Sequence, residues 1–198
     1  MNLENLKEQI AKDMGAERWQ HTLGVLEKSV HLASKYGVNP HKTAMAALLH
    51  DLARQWSNEQ LISYLESRGI TLSDADLVLP AVLHGKVGAL VAEERFGVTD
   101  EEVLQAVSCH TLGKMKMSDL DKIIFIADMI EPNRSYPGVE ALRVVAEANL
   151  DQAVLLGFDH TLQFVLSKGG FVHPEAVLAR NDLWALVNKK HFQEVRDK

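Results

Sequence analysis

The chain is punctuated for helices almost from end to end, and that limits it to an all-α fold. Ser57-Asn58-Glu59-Gln60 and Thr99-Asp100-Glu101-Glu102 read as capping boxes, and Ser118-Asp119-Leu120-Asp121 reads as a further helix start. Gly37, Gly69 and Gly97 stand where a helix should stop. Few segments alternate with a period of two, so no strand is expected. The spacing predicts helices over about 2–14, 17–36, 40–53, 57–69 and 78–96, with others opening near Thr99 and Ser118. The Ser118 helix closes on Asp128-Met129-Ile130. Helices resume over about 139–147 and 149–168, and Pro174 fits the first position of a last one. The polar segment Glu131-Pro132-Asn133-Arg134-Ser135-Tyr136-Pro137-Gly138 is read as a functional loop within one domain spanning 1–198, not as a boundary.

A length of 198 residues suits one domain that buries its own core. The single cysteine, Cys109, rules out an internal disulfide and suits a reducing compartment. No basic segment leads into a long apolar one near Met1, and runs such as Ile123-Ile124-Phe125-Ile126-Ala127 are too short to span a bilayer. The expectation is a cytoplasmic protein with no membrane partner. A net charge of −6 argues against a broad nucleic-acid surface, though not against a small nucleotide in a locally basic pocket. Apolar helices are abundant enough to admit a homodimer.

Six residues carry the chemical interest: His21, the pair His50-Asp51, His84, His110 and Asp128. Each one alone has a bland explanation, as a core histidine or a solvated aspartate. Together they place imidazoles and carboxylates at the ends or apolar faces of several helices. At about 100° per residue, His21 shares a face with Val25 and Leu32. An ionised Asp128 ending so apolar a helix is costly unless it is paired or binds a metal. Imidazole and carboxylate donors without thiolate suit iron, manganese, cobalt or zinc. His50 and Asp51 point in different directions along a helix, so one centre must lie between them.

The ordered blocks Arg18-Trp19-Gln20-His21-Thr22, His50-Asp51-Leu52-Ala53-Arg54, His84-Gly85-Lys86-Val87-Gly88-Ala89, His110-Thr111 and Ile126-Ala127-Asp128-Met129-Ile130-Glu131-Pro132-Asn133-Arg134 resemble the YqeK family of HD-domain phosphohydrolases. The likeness runs from about residue 18 to 184, and its most specific part is the block ending in Arg134. It implies an HD-domain-like helical bundle and symmetrical hydrolysis of diadenosine tetraphosphate to two ADP. It also implies a divalent transition metal, iron first, on His21, His50, Asp51 and Asp128. His84 and His110 would hold a second metal or touch phosphate.

Asp51 is expected to orient the attacking water as well as bind metal. An acidic protein needs local cations to hold a polyphosphate. Arg18, Arg54 and Arg134 are the preferred contacts, because guanidinium binds phosphate in a bidentate way; Lys86, Lys114 and Lys116 are weaker candidates. His21, His84, His110 and Thr111 complete the expected substrate contacts. The segment Gly170-Phe171-Val172-His173-Pro174-Glu175 could offer backbone amides to an anion and Phe171 to a base, or be an ordinary helix connection. Two other readings stay open: a superfamily nucleotidase or phosphodiesterase on another nucleotide, and a non-catalytic nucleotide-binding regulator.

Overall fold

The computed structural model describes residues 2–189, and every regular element among them is helical. The elements are α1 (Leu3–Asp13), α2 (Ala16–Tyr36), α3 (Pro40–Leu49), α4 (Asn58–Glu66), α5 (Asp74–Val78), α6 (His84–Phe96), α7 (Glu101–Cys109), α8 (Asp119–Ile130), α9 (Val139–Ala148), α10 (Leu150–Ser167) and α11 (Pro174–Val187). No helix among them is long and apolar enough to cross a membrane.

The helix starts follow local chemistry. Asn39 accepts from the His41 and Lys42 amides, with Pro40 at the first position of α3. Ser57 forms the predicted capping box with Gln60, and Ser118, expected as a helix start, forms another with Asp121. Gly37 and Gly97 end α2 and α6 in the left-handed conformation that glycine adopts without strain.

Three boundaries differ from the sequence expectation. The cap of α7 is Asp100, not Thr99: its carboxylate accepts from the amides of Glu102 and Val103. The helix expected over 40–53 stops at Leu49, and residues 50–56 run on in short-range turns such as Arg54 N–H to Asp51 C=O. The helix expected over 78–96 is divided. Ser73 and Asp76 box the start of α5, a 3-10 turn spans Pro80–Leu83, and α6 begins only at His84. Pro80 has no N–H to donate and its ring excludes an α-helical interior, so the chain must break there.

The scaffold is centred on α3 and α8. From Thr43 to Leu49 every residue of α3 is buried, and the small Ala44, Ala46 and Ala47 let neighbouring helices approach. From Leu120 to Ala127 every residue of α8 is buried, and α8 packs on α2, α3, α7, α9 and α10. One apolar cluster joins α1, α2, α3, α7 and α8, a second joins α8, α9, α10 and α11, and a third lies beneath α4 and α6. Trp19 packs against the first cluster, Trp184 against the second and Trp56 against the third. The C-terminal ends of α3 and α7, the start of α6 and the last turns of α8 therefore converge on one region beside the middle of α2.

Candidate metal centre

That region gathers all six residues singled out in the sequence. His21 sits on α2; His50 and His110 are the residues that end α3 and α7. Asp51 follows in the turn, His84 opens α6, and Asp128 lies in the last turn of α8. His50 and Asp51 can face one centre because the chain leaves the helix at His50. Both are buried, and His50 Nε2 lies 3.2 Å from Asp51 Oδ2.

The two Asp51 oxygens divide the imidazoles between them. Oδ2 faces His50 Nε2 at 3.2 Å and His21 Nε2 at 3.6 Å, and His21 Nε2 also lies 3.0 Å from Asp128 Oδ1. Oδ1 faces His84 Nε2 at 3.3 Å and His110 Nε2 at 3.9 Å. Two groups with metal-binding spacing result, His21–His50–Asp51 and Asp51–His84–His110, joined through Asp51.

Helix termini explain how the rings are held. The last carbonyls of a helix have no partner within it. His50 Nδ1 meets the Ala47 carbonyl at 2.7 Å, His110 Nδ1 meets that of Val107 at 2.7 Å, and His84 Nδ1 meets that of Ala81 at 2.6 Å. A carbonyl can only accept, so in each ring Nδ1 is the protonated nitrogen and donates. For His50 and His110 that hydrogen bond satisfies a carbonyl of the helix's last turn, and in all three rings it leaves Nε2 facing Asp51. In His21 the same role falls to Glu131, whose Oε1 accepts from Nδ1 at 3.2 Å. Glu131 is buried and also accepts from the Asn133 amide at 2.7 Å. Gly24 makes room for it, since a Cβ there would lie 2.4 Å from Glu131 Oε2. Outer carboxylate and carbonyl partners of this kind orient metal-binding histidines.

The arrangement fits a cation. The Nε2 atoms of His21 and His50 are buried and make no hydrogen bond of ordinary geometry. His84 Nε2 and His110 Nε2 face one another at 3.1 Å. With Nδ1 protonated in both rings, two lone pairs oppose each other there, which is favourable only with a proton or a cation between them. Burial and the neighbouring His84 and His50 push the pKa of His110 down to about 3, which keeps it a neutral donor. Burial opposes charge on His50 too, but the Asp51 carboxylate outweighs it and raises His50 to about 9. Burial alone would raise Asp51; the facing His50, His84 and His110 hold it well below the usual carboxylate range. A proton held so firmly beside a carboxylate marks a place where a divalent ion exchanges for protons.

A cavity of about 290 Å³ opens over these residues, lined in part by Arg18, Arg54, Thr111, Phe125, Arg134 and Thr161. Arg18 Nη1 donates to Asp51 Oδ2 at 2.8 Å, and Arg134 Nη2 donates to Asp128 Oδ1 at 2.7 Å. Arg54 is exposed at the rim. The Thr111 hydroxyl donates to the Val82 carbonyl at 3.2 Å. Lys86 lies toward Asp76 and Glu175, Lys114 toward Asp121, and Lys116 is exposed.

Residues 170–175 lie elsewhere. None lines the cavity over the metal cluster, although Glu175 lines an adjoining cavity of about 230 Å³ that shares Thr111 with it. The Gly170 amide donates to the Val165 carbonyl, and the Glu175 amide donates to His173 Nδ1, which caps α11. Those two amides are therefore committed within the fold. His173 is buried, Val172 half-buried, and Phe171 and Pro174 are exposed.

Sequence reasoning missed Glu131 as the partner of His21, and also Thr161. Glu131 sits in a polar segment where nothing local signals burial; its adjacency to the apolar end of α8 was the one available hint.

The HD-domain model matches residues 18–133. A protein of Halalkalibacterium halodurans named symmetrical bis(5'-nucleosyl)-tetraphosphatase is 36% identical, covering 92% of this chain and 97% of its own length. A Bacillus subtilis protein of the same name is 34% identical, covering 91% and 97%. A crystal structure from Clostridium acetobutylicum, described as a predicted HD superfamily hydrolase involved in NAD metabolism, superposes with a TM-score of 0.90 at 38% identity, covering 93% of this chain and 98% of that one.

Proposed function

The chain belongs to the HD-domain family, in its YqeK branch, and from that premise we propose that it hydrolyses diadenosine tetraphosphate symmetrically, giving two ADP. The observation that carries the chemistry is the set of imidazoles whose Nδ1 protons are committed outward while their Nε2 atoms close on the two oxygens of Asp51. His21, His50, Asp51 and Asp128 would hold one divalent ion, and Asp51, His84 and His110 a second. Imidazole and carboxylate donors without thiolate suit iron, manganese, cobalt or zinc, and the family resemblance puts iron first. Bound there, such ions supply a nucleophilic water at neutral pH and positive charge for the phosphoryl oxygens.

The chain's own residues do the rest. Asp51, fixed by Arg18, orients the water toward the second phosphorus counted from one adenosine. The water oxygen forms a bond to that phosphorus, the bridging oxygen to the third phosphorus departs, and one ADP leaves from each half. Arg18, Arg54 and Arg134 gather the negative charge of the chain, which an acidic protein must do locally. Arg18 and Arg134 already contact the carboxylates at the centre, so a phosphate entering there exchanges one anionic partner for another without moving the guanidinium far. Thr111, with Glu175 beside it in the adjoining cavity, would stand on the side of one nucleotide half. The place of action is the cytoplasm, where a buried, unbridged Cys109 and a free nucleotide substrate agree.

Product identification tests the assignment. Parent enzyme loaded with iron should release only ADP from diadenosine tetraphosphate; ATP with AMP would overturn it.

A further inference from the structure

We propose that the second nucleoside of the dinucleotide is held in a separate cavity between the start of α2 and the 131–134 segment, with Gln20, Gln55 and Asn133 reading its base and Glu17 its ribose. This rests on the tetraphosphate reading above and assigns the half of the substrate that the metal cavity leaves over.

The cavity is about 670 Å³, within the range of roughly 300–1,000 Å³ usual for small-molecule sites. The cavity over the metal cluster is about 290 Å³, too small for a whole dinucleotide. Arg18 and Arg134 line both, so the two cavities meet at these guanidinium groups. A polyphosphate running across the centre therefore passes between the arginines and leads its far end into the larger space.

Chemistry changes along that path. The residues that line only the larger cavity include no lysine or arginine. They include Gln20, Gln55 and Asn133, neutral amides that both donate and accept. That is the pattern that pairs with the amino group and N7 of adenine. They also include the carboxylate of Glu17, which repels phosphate but accepts from ribose hydroxyls. Glu17, Gln20, Gln55 and Asn133 are exposed, whereas Glu131, which also lines the cavity, is buried and committed to His21 and the Asn133 amide. Gln55 makes one long contact, accepting from the Gly15 amide at 3.5 Å. A cavity with cations at its mouth and neutral amides beyond suits a nucleoside attached to a phosphate chain, not a free anion.

The test compares two substrates, diadenosine tetraphosphate and adenosine 5'-tetraphosphate, which lacks the second nucleoside. Two variants are used: the double variant Gln20→Ala with Gln55→Ala, and Ala16→Trp, which fills the cavity. For the parent, kcat/KM should favour the dinucleotide. In each variant that preference should fall about tenfold, mainly through KM, consistent with loss of an amide–adenine pair. General damage lowers both substrates alike and leaves the ratio fixed. An unchanged ratio in both variants, with ADP still released from the dinucleotide by the parent, overturns this subsite alone. A parent that releases no ADP from the dinucleotide overturns the hydrolase reading, and this assignment with it.

Discussion

Asp51 is the residue on which the centre turns, because each of its oxygens faces a different pair of imidazoles. Replacing it with Asn keeps its size but removes the charge and half the acceptor capacity. Asp51→Asn should lower turnover at least about a thousandfold while leaving the far-UV circular dichroism unchanged. Turnover at the parent rate would remove Asp51 from the chemistry. Glu131 acts one step further out, fixing the tautomer of His21. Glu131→Gln should weaken metal binding by about 10–100-fold in a chelator competition. An unchanged affinity would mean that His21 is oriented by packing alone. That the six residues cluster was legible as a candidate site because a charged or imidazole group on an apolar helix needs a reason. The sharing of Asp51 was not, since it depends on where the chain leaves α3.

At the scale of elements, the site depends on helix ends meeting closely. Gly85 in the first turn of α6 lies against the end of α7: a Cβ there would be 2.8 Å from the Ser108 carbonyl and 3.2 Å from His110 Nδ1. Gly85→Ala must push the two ends apart and disturb the His84–His110 pair. It should cost about 1–3 kcal/mol in denaturant unfolding. A stability equal to that of the parent would show that the ends can part freely. The cap of α8 has a smaller role, because it fixes only where the Asp128 helix begins. Ser118→Ala should cost about 1 kcal/mol by the same measurement, and no change would mean that the capping box contributes nothing. Most helix starts were readable from such caps. The division of the 78–96 region was not read, because Leu77 through Leu83 is apolar apart from its proline. Yet Pro80 and the Ser73–Asp76 box both carry the signal for a break, and neither entered the sequence analysis.

At the scale of the whole molecule, the charge balance is negative while the proposed substrate is a polyanion, so on this reading the arginines would act locally and bound ions would complete the neutralisation. The all-helical class followed from punctuation and absent alternation. Which helix ends would meet did not, because convergence is set by packing around α3 and α8 between residues far apart in sequence. The second cavity was likewise invisible, being formed by the start of α2 and a segment more than a hundred residues later. Counting metal in protein purified without oxygen or added metal bears on all of this at once. The arrangement around Asp51 calls for two transition-metal ions per chain in the parent and a loss of metal in Asp51→Asn. A parent that retains none under these conditions, or an Asp51→Asn protein that retains both, would contradict it.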